Sequence, residues 1–104
     1  MSDPTARLTV TTDGDRIVVA GDIDAHTCPD LAAALDPLPG SGDVRLDVAD
    51  VGFIDSSGLR VIIGTHQQAE ASDRRLLIEQ PSKSVSRILE ISGLTDHLHI
   101  VEAG

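Results

Sequence analysis

The 104-residue chain is long enough for one domain and too short for two of ordinary size, and its 40% hydrophobic and 24% charged residues are those of a soluble globular protein. Eight basic against 17 acidic residues give a formal charge of −9, which repels a nucleic-acid backbone and an anionic membrane surface alike. Phe53 is the only aromatic besides the histidines, so base-stacking platforms and aromatic interface anchors are almost absent.

The single Cys28 cannot form an internal disulfide, and "MSDPTARLTV" has neither the basic segment nor the apolar stretch of a signal peptide. No apolar run approaches the roughly 18 residues of a membrane span. A cytoplasmic protein without direct membrane insertion is expected.

"RLTVTTDGDRIVVAG" alternates through Leu8 and Val10, breaks at Asp13-Gly14 and resumes with Ile17, Val18 and Val19, which predicts two strands joined by a tight hairpin. In "HTCPDLAAAL", Thr27 can cap a helix, Pro29 suits its first turn, and Asp30 stands where a capping box usually has Glu. Leu31, Leu35 and Leu38 then line one helical face. "PLPGSGD" ends that helix, and "VRLDV" alternates Val44, Leu46 and Val48 as the next strand.

"FIDSSGLRVIIG" follows, with Leu59, Ile62, Ile63, His66 and Ala69 at helical spacing, so a second helix runs from about Ser57 to Ala71. "RRLLIEQ" reads as a strand, and "SKSVSRILEISG" as a third helix with Val85, Ile88 and Leu89 on one face, Ser82 as cap and Gly93 as stop. "LHIV" is the last strand. Alternating strands and helices predict an α/β fold with a mixed, mostly parallel sheet, its first strand added antiparallel through the hairpin.

In such a sheet the strand-to-helix loops gather at the strands' C-terminal ends, so "GDID" and "DSSG" are expected on one rim. Asp55, Ser56 and Ser57 allow three readings. They can cap the second helix, which the residue types favour. A Ser there can be a nucleophile, although the G-x-S-x-G spacing and a placed histidine are missing. Finally, a Ser hydroxyl at a helix N-terminus can accept a phosphate, since unpaired N–H groups and the helix dipole favour an anion there. His97 and His99 flank the last strand and, two apart, would point to one side of a strand, which is compatible with metal ligation, but no cysteine pair or closely spaced carboxylate set completes a site, and solvent-facing histidines are the simpler account. "GSG" lacks the Lys and Ser/Thr of a phosphate-binding loop.

Three stretches in order carry a family resemblance over nearly the whole chain. "GDIDAHTCPDLAAAL" is similar to a G-x-[IL]-D-x-x-T-x-x-x-L segment, "VRLDVADVGFIDSSGLRVIIG" to a strand, phosphoacceptor loop and helix, and "LEISGL" to a late S-G-L turn. The chain resembles the STAS-domain anti-sigma factor antagonists, bacterial partner-switching regulators. The resemblance implies that residues 1–104 form a single STAS domain that is not an enzyme and needs no cofactor or metal. It implies that the unphosphorylated form binds an ATP-binding anti-sigma factor serine kinase and so releases a sigma factor. Phosphorylation of Ser56 ends that binding, and a phosphoserine phosphatase restores it.

By the same matching Asp24 falls beside the acceptor, and Asp55, Ser57 and Gly58 shape its loop. The second helix presents the partner surface. With Leu59, Ile62 and Ile63 in the core, Arg60, Val61 and Thr65 are candidates for its outward face, and Asp22 joins them by proximity alone. The compact chain disfavours the larger stressosome scaffolds and transporter-appended forms. The alternative is a constitutive STAS scaffold or adaptor whose serines only cap the helix.

Overall fold

The computed structural model describes residues 8–101; Arg7, where the first predicted strand begins, lies outside them. In chain order the elements are β1 (Leu8–Asp13), β2 (Arg16–Ile23), α1 (Cys28–Leu35), β3 (Val44–Ile54), α2 (Ser56–Ala71), β4 (Leu76–Glu79), α3 (Lys83–Ile91) and β5 (His99–Val101). The sheet order is β1-β2-β3-β4-β5, with β1 antiparallel to β2 and the remaining pairs parallel. The expected α/β class and mixed sheet are therefore observed.

Local chemistry explains the hairpin and the helix ends. Asp13 pairs with Arg16 across a two-residue turn, whose first residue, Gly14, has φ +61°, a conformation that glycine adopts without steric cost. Ser82 caps α3 by accepting from Val85 N at 3.3 Å. At the other end Gly93 takes φ +69° and Leu94 N donates to Leu89 O at 2.9 Å, which closes the helix as its sequence predicts.

The sequential strand order makes each crossover step one strand in the same direction, and right-handed connections then put all three helices on one face. Accordingly α1 touches α2, and α2 touches α3. Beneath them lie Ile17, Val19 and Ile23 of β2, Val44, Leu46, Val48, Val51 and Ile54 of β3, and Leu76 and Ile78 of β4, all buried. Alternation turns Arg16, Arg45 and Glu79 to the other face, where Glu79 stands 3.3 Å from Arg16 and 3.9 Å from Arg45. No helix among the described residues is long and apolar enough to cross a membrane.

Three sequence expectations need correction. β3 does not stop at Val48 but continues to Ile54, and its buried residues change spacing from two to three over Val48, Val51 and Ile54. The β2–β3 pairing shifts register between Val18 and Ala20 and again between Gly21 and Asp22, so simple alternation cannot persist through this stretch. α1 ends at Leu35, leaving Leu38 beyond the helix but packed against the core. His97 lies in the turn before β5 rather than on it, so it does not share a strand face with His99.

Candidate functional site

The rim forms where β2 and β3 end together. Ile23 pairs with Ile54, and Asp55 N donates to Ile23 O at 3.1 Å, which ties the two strand-to-helix loops to each other. The expected meeting of "GDID" and "DSSG" is thus produced by parallel pairing of the preceding residues.

Each loop is organised by an aspartate. Asp55 is the N-cap of α2: its Oδ1 accepts from Ser57 N at 2.9 Å and from Gly58 N at 3.3 Å, and its carbonyl accepts from Leu59 N at 3.1 Å. Two N–H groups left over at the helix start are satisfied in this way. Asp24 plays the parallel part before α1, its Oδ1 accepting from His26 N at 2.9 Å and Thr27 N at 3.0 Å while its carbonyl accepts from Cys28 N at 2.8 Å.

Thr27 occupies the N-cap position of α1 but makes no side-chain cap to that helix, contrary to the capping-box expectation. Its buried hydroxyl faces backward instead, donating to Asp22 O at 2.8 Å and accepting from Asp24 N at 3.0 Å. Its αR backbone, φ −95° and ψ −19°, differs from the extended conformation that aims an N-cap hydroxyl at the following turn. The threonine therefore locks the 22–27 loop rather than the helix.

These anchors leave Ser56 distinct from its neighbours. It is the first residue of α2, one place earlier than expected, and its side chain is exposed. Asp55 does the capping, and among the described residues the Ser56 hydroxyl has no hydrogen bond. No hydrogen bond joins a histidine to Ser56 or Ser57 among those residues either, so the nucleophile reading gains no positioned base. Ser57 is half-buried. Gly58 is buried, and a methyl group there would overlap Ile23 Cγ2 and stand 2.9 Å from Ile54 Cγ1. The absence of a side chain lets the first turn of α2 sit directly on the ends of β2 and β3.

The remaining candidates separate. Arg60 is exposed and Val61 half-buried along the α1–α2 cleft, which Gln68 bridges by donating to Asp36 O at 2.8 Å. Thr65 is only 5% exposed and its hydroxyl donates to Val61 O at 2.9 Å, so it does not belong to the outward face. Spacing misplaced it because α1 covers that side of α2. Conversely Ile63, assigned to the core, is only half-buried. Asp22 is half-buried on β2, its Oδ1 beside Gly52 of β3.

Two side chains missed by the sequence reading adjoin this rim. Phe53 is 48% exposed just ahead of the Ile54-Asp55 strand end, and Ile91 is 78% exposed on α3. With Ile54 and Ile88 they border one shallow apolar groove. The lone aromatic inside a broken alternation was the available signal for Phe53; nothing local marked Ile91.

Residues 7–102 match the sequence model of the family described as "Mlab, STAS domain". An anti-sigma-B factor antagonist of Staphylococcus epidermidis is 34% identical over 88 residues, spanning 83% of this chain and 82% of that protein. The chain belongs to the STAS-domain family of anti-sigma factor antagonists, which are regulators rather than enzymes. Its fold is shared by an anti-sigma factor antagonist from Mycobacterium paratuberculosis, at TM-score 0.74 and 21% identity over 97% of this chain and 90% of that one. It is shared too by the Bacillus cell fate determinant SpoIIAA in its phosphorylated form, at TM-score 0.68 and 19% identity over 93% and 91%.

Proposed function

We propose that this protein works by partner switching: unphosphorylated, it binds a kinase-type anti-sigma factor and so frees a sigma factor, and phosphate on Ser56 ends the interaction. The observation that carries this reading is Ser56 itself, exposed on the first turn of α2 and not used as a cap, while Asp55 and Asp24 fix the backbone around it. A hydroxyl without structural duty can be modified without breaking the fold. The family relationship supplies the class of partner, an anti-sigma factor, and a phosphoserine phosphatase would complete the cycle.

Phosphorylation adds about −1.5 to −2 charge at pH 7. At the start of α2 the positive end of the helix dipole tolerates it, so α2 stays folded. A partner seated over the rim must instead desolvate that charge beside Asp24 and Asp55, which is unfavourable in a chain already at −9. The exposed Arg60, the half-buried Val61 and the apolar groove at Phe53 are the contacts such a partner would use, with Asp22 at the margin.

The test uses wild type, Ser56→Ala and Ser56→Asp to capture partners from native lysate, with ADP or ATP added. Wild type with ADP and Ser56→Ala with either nucleotide should retain an ATP-binding anti-sigma factor; Ser56→Asp should lose it, and ATP-treated wild type should carry phosphate on Ser56. Retention of the same partners by all three, whatever the nucleotide, would refute the switch and make the protein a constitutive scaffold whose acceptor loop only starts a helix.

A further inference from the structure

In the second half of α2, away from Ser56, a group of side chains has no part in the rim. His66 and Glu70 are four residues apart and so lie above one another on one helix face. His99, which opens the edge strand β5, meets them. His66 Nε2 is 3.8 Å and His99 Nε2 is 3.6 Å from the same oxygen, Glu70 Oε1, and one donor atom from each of the three residues falls within 4.8 Å of the others. The imidazole centroids are 5.6 Å apart.

Neither Glu70 distance is a hydrogen bond, and two buried ring nitrogens, His66 Nδ1 and His99 Nε2, have no hydrogen-bond partner. Buried polar atoms of this kind are uncommon in folded proteins because each forfeits its interaction with water. His66 Nε2 and His99 Nε2 both face Glu70 Oε1 from beyond hydrogen-bond distance, and one of them, His99 Nε2, is itself buried without a hydrogen bond, a geometry that a shared ligand would complete.

We propose that His66, Glu70 and His99 form a binding site for a divalent transition-metal ion of the zinc type. Two imidazoles and one carboxylate are a donor set that zinc takes in open sites, with water filling the remaining position, whereas calcium and magnesium require oxygen ligands throughout. Bonds of roughly 2.0–2.1 Å at tetrahedral angles set neighbouring donors about 3.4 Å apart. The 3.6 and 3.8 Å separations lie close to that value, and the remaining donor pair lies within 4.8 Å. An ion here would cross-link α2 to the three-residue edge strand β5.

The site is tested on the full chain, stripped with a chelator and titrated with Zn²⁺ against a chromophoric competitor, then with Co²⁺ to read its visible absorption. Wild type should take up one equivalent, and H66Q/H99Q should bind at least about 100-fold more weakly and lose the Co²⁺ bands. Should that double variant fail to fold by circular dichroism, wild type alone decides: on adding Zn²⁺, the NMR signals of the His66 and His99 rings should shift while those of His26 and His97 stay in place. No uptake by wild type, equal uptake by a folded H66Q/H99Q, or ring shifts confined to His26 and His97 would overturn the assignment and leave an ordinary His–Glu cluster.

Discussion

Gly58→Ala perturbs the point where the acceptor helix rests on the sheet. The added methyl overlaps Ile23 Cγ2 and lies 2.9 Å from Ile54 Cγ1, with Ile23 Cβ at 3.2 Å. Rotating the Ile23 side chain moves Cγ2 but leaves Cβ at 3.2 Å, so the contact stays tight, and at 1% exposure Ile23 can move only against its core neighbours. Overpacking of this kind costs about 1–3 kcal/mol. Alanine recovers at most about 1 kcal/mol through helix propensity. With the full propensity gain subtracted, the net loss is up to about 2 kcal/mol and centred on about 1, and each kcal/mol lowers Tm by roughly 4–8 °C in a domain of this size.

Gly64→Ala provides the control, since the same helix carries it at a position where an added methyl meets nothing within 4 Å. Only the propensity gain remains, so that variant should be stabilised by up to about 1 kcal/mol. Thermal unfolding followed by circular dichroism reads both. Opposite signs are expected. If Gly58→Ala unfolds at or above the wild-type temperature, or both variants shift downward alike, the close seating of α2 on β2 and β3 is not what glycine is needed for at position 58.

Asp55→Ala removes the acceptor for two N–H groups at the start of α2 and should cost about 1 kcal/mol in urea unfolding, whereas Asp55→Asn, which keeps an acceptor oxygen, should cost distinctly less; equal losses would show that the cap acts through charge alone. The hydrogen bond from Arg75, at 2.9 Å, holds the Asp43 carboxyl below its ordinary pKa. A carboxylate with a lowered folded-state pKa contributes stability above its unfolded value and loses it as the pH falls through the lowered one. An NMR titration should therefore find the Asp43 midpoint below the ordinary carboxylate range in wild type and back within it in Arg75→Gln; no movement between the two would remove Arg75 as the cause.

Much of the fold was legible because burial is periodic along a chain. Ile17 and Val19, Val44, Leu46 and Val48, and Val85 and Leu89 announce strand and helix faces by spacing alone, and Gly14, Ser82 and Gly93 mark ends by their own conformational chemistry. Legibility failed where a local rule met a long-range constraint. Thr27 resembles a cap until Asp22 and Asp24 draw its hydroxyl the other way, and Thr65 counts as outward until α1 covers it. Beyond Val48 the alternation gives out because two register shifts against β2 reset which side chains face the helices.

The site divides along the same line. The order Asp55, Ser56, Ser57, Gly58 before an amphipathic run already specified a helix start with a hydroxyl on its first turn, since those groups act within four residues of one another. Which hydroxyl stays free, which aspartate caps, and why position 58 tolerates no side chain were decided by parallel pairing of Ile23 with Ile54, a contact between residues distant in sequence. The meeting of His66 and Glu70 with His99 has the same origin: helical spacing puts the first two on one face, but only the docking of β5 beside β4, under the end of α2, brings the third within reach.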